Sequence, residues 1–501
     1  MPEKTMTDMD PAPEGKGETK MGNDADSTFE VLARIPMFRK TISQVVLTGF
    51  VCFLCPGMFN ALNGGGGLLD SSVNSRANTA LYTTFAVVGF AAGSFLNYFG
   101  ARLTLAVGGL GYAVYSSAYL CYKYTQNDGY VIFSGALLGC CAGLLWCAQG
   151  TVMMSYPTES QKGRYIGIFW AIFNLGAVIG SLIPLGTNWN TNQEGDVVTG
   201  TYVGFLVLML AGAVLAFFLI PPEKIVRSDG TRVQRLRHPS ALMEVKGLWT
   251  TMQTDPYILL LFPLFWASNW FYTYQFNCYN VFMFNTRTKA FTGLFYWVSQ
   301  IIGSLLYGFF LDNQRLGRRS RAIWGGVVLF VIVNVVWGGG LKAELQMARP
   351  KDPANPVEFR RMDVFDDGFF GYLFLYMCYG FLDSTWQTYA YWLMGALSNE
   401  TRKLAYFSGY YKGIQSAGAA VGWGLDSGRA SYESLFISSW VLNVAGLIIA
   451  VPVIWNRVHD TEITEVDYAT KKDVEEIQGA VEMEHVTDGG KKVGSKEEGT
   501  N

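Results

Sequence analysis

Histidine is nearly missing from this chain of 501 residues. The three present, His238, His459 and His485, fall outside every long apolar run. That excludes a membrane-embedded histidine metal site and a histidine proton relay. Charge is also scarce: 16% of residues are Asp, Glu, Lys or Arg, against 50% hydrophobic. The 38 basic and 40 acidic residues nearly cancel, to a net charge of −2. Neither nucleic acid nor an acidic surface is implied as a partner. The eight cysteines lie in or beside apolar runs and supply no disulfide framework; Cys52-x-x-Cys55 reads as compact packing residues rather than a redox or metal pair. Residues 1–41 are polar and mixed in charge, without the basic-then-apolar order of a cleavable signal, so the first apolar run is expected to direct insertion. Gly64–Gly67 is not followed by Lys-Ser/Thr and no strand precedes it, so it reads as a sharp turn or a flexible gate, not a phosphate loop. With no embedded histidine and no paired-carboxylate cleft, neither an enzyme nor a cofactor or metal site is expected.

Apolar runs of roughly 20 residues, the length that crosses a bilayer core as a helix, are what the chain has in quantity. Continuous rather than alternating runs exclude an outer-membrane barrel. About twelve spans are expected, near 42–62, 79–99, 103–122, 131–155, 164–186, 201–221, 257–284, 290–311, 322–340, 368–395, 404–425 and 433–456. The 56 glycines suit close helix packing. The expected domains are a cytosolic disordered N-tail (1–41), a six-helix bundle (42–221), a cytosolic linker (222–256), a second six-helix bundle (257–456) and a cytosolic disordered C-tail (457–501). A short helix near 460–480 fits inside that tail. Basic residues in the connections after spans 2, 4, 6, 8 and 10 put those turns, and both termini, in the cytosol. The segment 341–367 breaks the trend, with five basic residues on the opposite side. The sequon at Asn399 falls in a cytosolic turn, where glycosylation is not expected. No address motif separates plasma membrane from endomembrane.

The two sets of six resemble each other. Gly93-Ser-Phe-Leu-Asn97 precedes Gly100 and Arg102, and Gly308-Phe-Phe-Leu-Asp312 precedes Arg315, Gly317 and Arg318. Each places a glycine for close helix contact, a polar side chain four residues later, and a basic turn that side chain can cap or pair with. Pro157–Tyr165 and Asn399–Tyr406 correspond in the same way. Internal repeats of this kind build transporters with a site near the bilayer midplane between the halves.

These Gly-x-x-x-Asn/Asp turns resemble, in degenerate form, the signature loop of the major facilitator superfamily. Asn97 stands in the usual Asp position, and extra residues separate Asp312 from Gly317. The stretches Gly57–Gly67, Gly380–Gln387, Tyr391–Gly395 and Gly409–Gly418 are similar to the uncoordinated-93-like (ion-channel-regulator-like) branch, in a fungal-type form. The resemblance covers roughly 40–456. It implies an all-α polytopic membrane protein of two pseudo-symmetric six-helix bundles, the major facilitator fold, with Gly93, Asn97, Arg102, Gly308, Asp312, Arg315 and Arg318 as cytosolic gating-loop residues. It also implies a cavity lined by spans 1, 4, 7 and 10. That nominates Asn60, Asn63, Trp146, Gln149, Asn269, Gln275, Asn277, Asp383, Trp386 and Gln387, amides and indoles suited to a small polar or amphipathic ligand.

Two ionisable residues lie well inside spans, Asp383 in span 10 and Lys412 in span 11. Counted from their shared turn, their depths differ by roughly 8 Å, which a lysine stem largely bridges, so a pair is expected. A structural ion pair and a role in proton coupling or substrate charge recognition fit it equally. The implied function is a secondary transporter or facilitator of a small solute or ion, working by alternating access, with proton coupling as an option. The alternative is a non-transporting regulator or trafficking chaperone of a membrane-protein partner. The lipid bilayer is a partner in either case.

Overall fold

A computed structural model describes Leu32 and residues 34–64, 69, 71–189, 199–233, 249–347, 360–398 and 401–460. The expectations for most of both tails, for the middle of the linker, for Gly65–Gly67, for the sequon and for a helix beyond residue 460 lie outside the described residues.

The first passage is α1 (Thr41–Cys52), which runs through a π-helical turn (Phe53–Gly57) into α2 (Met58–Gly64). Pro56 sits in that turn; without an N–H it cannot continue the ordinary ladder, and the hydrogen bonding widens locally. α3 (Ser71–Thr125) has 55 residues. Straight, it would be roughly 80 Å long, far beyond an apolar layer of about 30 Å. Gly100, at φ 83° and ψ 163°, breaks it in a conformation closed to most other residues. α4 (Asp128–Ser155) packs on both arms: Gly139 lies against Leu81 and Thr84, and Cys141 lies against Gly111. The arms therefore fold back side by side as the second and third passages.

α5 (Lys162–Asn188) and α6 (Thr199–Leu215) complete the first half. The second half opens as the first does, on an interrupted helix: α7 (Phe262–Trp270) leads into a π-helical stretch (Tyr274–Val281). α8 (Thr286–Leu311), α9 (Arg318–Glu344), α10 (Phe369–Leu397), α11 (Thr401–Ser427) and α12 (Tyr432–Arg457) follow. Asn127, Asn285 and Ser431 cap α4, α8 and α12 by accepting the backbone N–H three residues on.

Seven helices among the described residues are long and apolar enough to cross a membrane, α3 counting once for its two arms. α10 and α11 are as long but less apolar, because amides, hydroxyls and tyrosines fill their inward faces; every residue from Leu382 to Leu397 is buried. Outward faces carry exposed Val87, Phe133, Val207, Val335 and Ile448, the apolar surface that lipid requires. Cys52 and Cys55 are buried among these helices, and the Cys55 thiol donates to the Met209 carbonyl oxygen at 3.4 Å.

Candidate functional site

The halves meet crosswise, through the glycines of the repeated turns. Gly93 on α3 lies against Ala405 and Tyr406 of α11, where a Cβ would come within 2.7 Å of the Ala405 oxygen. Gly308 on α8 lies against Gly163 and Gly167 of α5 in the corresponding way. Beside the second contact, the Asp312 carboxylate accepts the backbone N–H of Gly163 at 2.8 Å and of Arg164 at 2.5 Å. It thus caps the N-terminus of α5 across the interface, where a negative charge complements the helix dipole. Of the basic turn on its own side, Arg321 lies near enough to act on this carboxylate, while Arg315 is exposed and its backbone N–H donates to Asn313. Asp312 lies just past the end of its span. Burial pushes its carboxyl up to about 6, against the two backbone N–H groups and the nearby Arg321 and Arg164 guanidinium groups. Lys162 reinforces this end by donating to the carbonyl oxygens of Gly395 and Ser398. Asn97, the first-half counterpart, is buried but uncharged; Arg318 is buried and Arg102 half-buried. At the opposite end, Ser75 of α3 donates to Asp426 of α11 at 3.4 Å.

Between these ends lies a partly open cavity of about 70 Å³. Both halves line it. Asn60 on α2, Trp146 on α4, Asn269 on α7 and Gln387 on α10 are lining residues nominated from the sequence, and Lys412 on α11 lines it too. Tyr82 and Tyr112 on α3, Trp170 on α5, Tyr272 after α7, Trp297 and Gln300 on α8 and Gln415 on α11 were not nominated. Gln300, an amide in the apolar run of span 8, was visible as such; Gln415 stood in a quoted family stretch. Both stand on spans 8 and 11, outside the four spans that the family resemblance places around the cavity.

Asp383 sits one layer behind the wall. Its carboxylate accepts from Tyr272 (3.2 Å), Tyr296 (3.2 Å), Gln300 (2.7 Å) and Gln387 (3.3 Å). Lys412 does not touch it. The Lys412 ammonium donates to Gln415 Oε1 at 2.7 Å, Gln415 Nε2 donates to Gln387 Oε1 at 3.0 Å, and Gln387 Nε2 reaches Asp383. The two charges are joined through two amides rather than as a direct pair, because the stem of Lys412 turns into a box of rings. Its Nζ lies 4.8 Å from the Trp146 centroid, 4.8 Å from Tyr411 and 5.2 Å from Tyr391.

The remaining nominated residues are placed elsewhere. Trp386 turns away from the cavity, donating to Ser268 Oγ at 2.9 Å. Gln149 accepts from Tyr391 across the halves at 3.0 Å, and Gln275 accepts from Tyr296 at 2.8 Å. Asn277 donates to Asp426 at 2.9 Å and belongs to the far end. Asn63 falls on the last turn of α2, and its side chain lies outside the described residues.

Two polar atoms of the wall have no hydrogen-bond partner: Gln300 Oε1 and Trp170 Nε1, on side chains at least 97% buried. The arrangement can hold a small solute between flat apolar rings, one ammonium and a set of amides.

Residues 45–342 match the family model for the Major Facilitator Superfamily. An UNC93-like protein of Schizosaccharomyces pombe is 49% identical over 425 residues, spanning 84% of this chain and 83% of that one. UNC93-like protein 1 of Arabidopsis thaliana is 42% identical over 420 residues, spanning 83% and 91%. Among solved structures, the major facilitator transporter FucP in its outward conformation aligns with TM-score 0.58 and 11% identity, over 84% of this chain and 98% of that one. That last likeness is one of fold alone. Family and fold are those of a non-enzymatic, integral multi-pass membrane protein. With the repeated turns, the interrupted first helix of each half and the crosswise glycine contacts, they establish that the chain belongs to the major facilitator superfamily and, within it, to the UNC93-like branch in its fungal-type form.

Proposed function

We propose that the protein carries a small polar or amphipathic solute across its membrane by alternating access. The two halves, 42–221 and 257–456, rock about the cavity, with 222–256 joining them and both termini in the cytosol. The observation that carries this reading is the cavity itself, enclosed between the halves and walled by Lys412, Gln387, Gln300 and Trp146. A protein serving only as a scaffold for a partner would gain nothing from an ammonium at a central void, where it costs stability.

The gates belong to the same reading. Asp312 on α5 and Lys162 on the α10 carboxyl end hold the cytosolic side shut, and Ser75 with Asp426 guards the other side. Asp383 is the residue through which a proton would couple to solute movement, since the Gln387–Gln415 bridge links it to the cavity's cation. The test is uptake by purified protein in liposomes across a broad panel of solutes and ions, with and without a pH gradient. Gradient-sensitive accumulation of one solute class is the expected result. Silence across the panel, with stoichiometric co-purification of a channel or receptor, would move the protein to the regulator class.

A further inference from the structure

The two buried charges differ in how well the protein satisfies them. The Asp383 carboxylate is met by Tyr272, Gln300 and Gln387, with the single Tyr296 O–H shared between it and Gln275, and it does not line the cavity. The Lys412 ammonium, 97% buried, does line it and has one acceptor, Gln415 Oε1. An ammonium has three N–H bonds, so two of them meet only ring faces. Trp170 Nε1 adds a further unpartnered donor to the same wall. Acceptors stand beside these: Gln300 Oε1, unpartnered and fixed in that orientation because its Nε2 is bound to Asp383, and the amide of Asn60 on the first-half wall. The lining therefore carries one positive charge, that of Lys412, and no carboxylate to balance it.

We propose that the solute is a small organic anion, a carboxylate on a flat apolar body, whose oxygens take the two open positions of Lys412 and whose body lies against Trp146 and Trp170. This rests on the transporter reading above and narrows it to a substrate class. The two indoles stack with centroids 6.1 Å apart, and Phe59 and Phe173 extend the apolar surface around them. That surface favours an organic body over a bare hydrated ion. A cationic solute would face Lys412 in a low-dielectric site, a penalty of about a hundredfold or more in affinity. A neutral solute would leave the ammonium with unmet donors.

The experiment is equilibrium dialysis of purified full-length protein with matched radiolabelled probes: benzoate, benzamide and benzylammonium, then hexanoate with its amide and amine. Each carboxylate is expected to bind at least about tenfold more tightly than its partners. Lys412→Gln should abolish that preference, and Lys412→Arg should keep it. If Lys412→Gln fails to fold, the wild-type triplets still decide the matter. Amines or amides binding as well as acids, chloride or phosphate binding as tightly as benzoate, or no carboxylate binding at all would overturn the proposal. Carboxylate binding by a protein that moves none of them across liposomes would instead retire the transporter reading and leave the anion site standing. Transport of amines in preference would do the reverse.

Discussion

The two walls of the cavity are built from different chemistry. The first half offers mainly rings, with Asn60 as its lining amide: Trp146 and Trp170 stacked, Phe173 edge-on to both, and Tyr112 accepting the Trp146 N–H at 3.0 Å. The second half offers the charges and a web of amides, with Gln300, Gln387 and Gln415 tying Asp383 to Lys412. Related halves have thus diverged into a surface that packs and a surface that recognises. A symmetric rocking device does not require that, because either half could host the polar groups. In the proposed cycle, concentrating them in one half would let solute charge and coupling act on a single rigid body while the other slides past on flat rings.

The sharpest way to break this comparison is to remove the second half's carboxylate. Asp383→Asn keeps the shape but turns one accepting oxygen into an NH2 that faces other donors. Losing two charge-assisted bonds is worth about 3 kcal/mol, so uptake in liposomes should fall by roughly a hundredfold. Monodisperse elution with retained uptake would show the web to be structural. Trp146→Ala tests the other wall. It removes the indole from Lys412 and from the solute's face, a loss of about 2 kcal/mol. The expected reading is KM raised about thirtyfold with Vmax little changed, since a ring that packs equally in ground and transition states changes binding alone. A fall in Vmax instead would give the first half a part in the conformational step.

How much of this could be read from residue order differs from wall to wall. Span lengths and the Gly93 and Gly308 turns were legible because apolar length and small-residue spacing are local signals. The two interruptions were not. Pro56 was visible in span 1, but nothing in Tyr274–Val281 marks a π-helical stretch, which depends on how α8, α10 and α12 pack against it. Asp383 and Lys412 stood out as charges in apolar runs, yet depth along two helices cannot reveal rotation about their axes. Rotation turned Lys412 into the ring box and placed Gln387 and Gln415 between the charges. The aromatic wall was the hardest part, because tryptophan in a membrane helix reads equally as packing, anchor or site.

A second comparison, between the two copies of the repeated turn, yields the smallest expected effect. Asn97 is neutral and Asp312 is charged, so only the second copy responds to pH. While the Asp312 end is closed, burial holds that carboxyl near 6; when the end opens, water returns it to the ordinary value of about 4. The closed state therefore binds the proton more tightly. Closure is favoured at low pH and loses that advantage as pH rises through 6. Between pH 5 and pH 7 the closed-to-open ratio should fall by about tenfold. The amides of Gly163 and Arg164, which Asp312 holds, report it directly. Their hydrogen exchange, corrected for the intrinsic rate, should be about tenfold less protected at pH 7 than at pH 5. Asp312→Asn, neutral at every pH as the protonated carboxyl is at low pH, should hold protection near its pH 5 level at both values, so that the difference between them vanishes. Asn97→Asp should create a matching pH dependence at the first copy; if instead it leaves exchange unchanged across that range, the two turns are alike in sequence but not in what they gate.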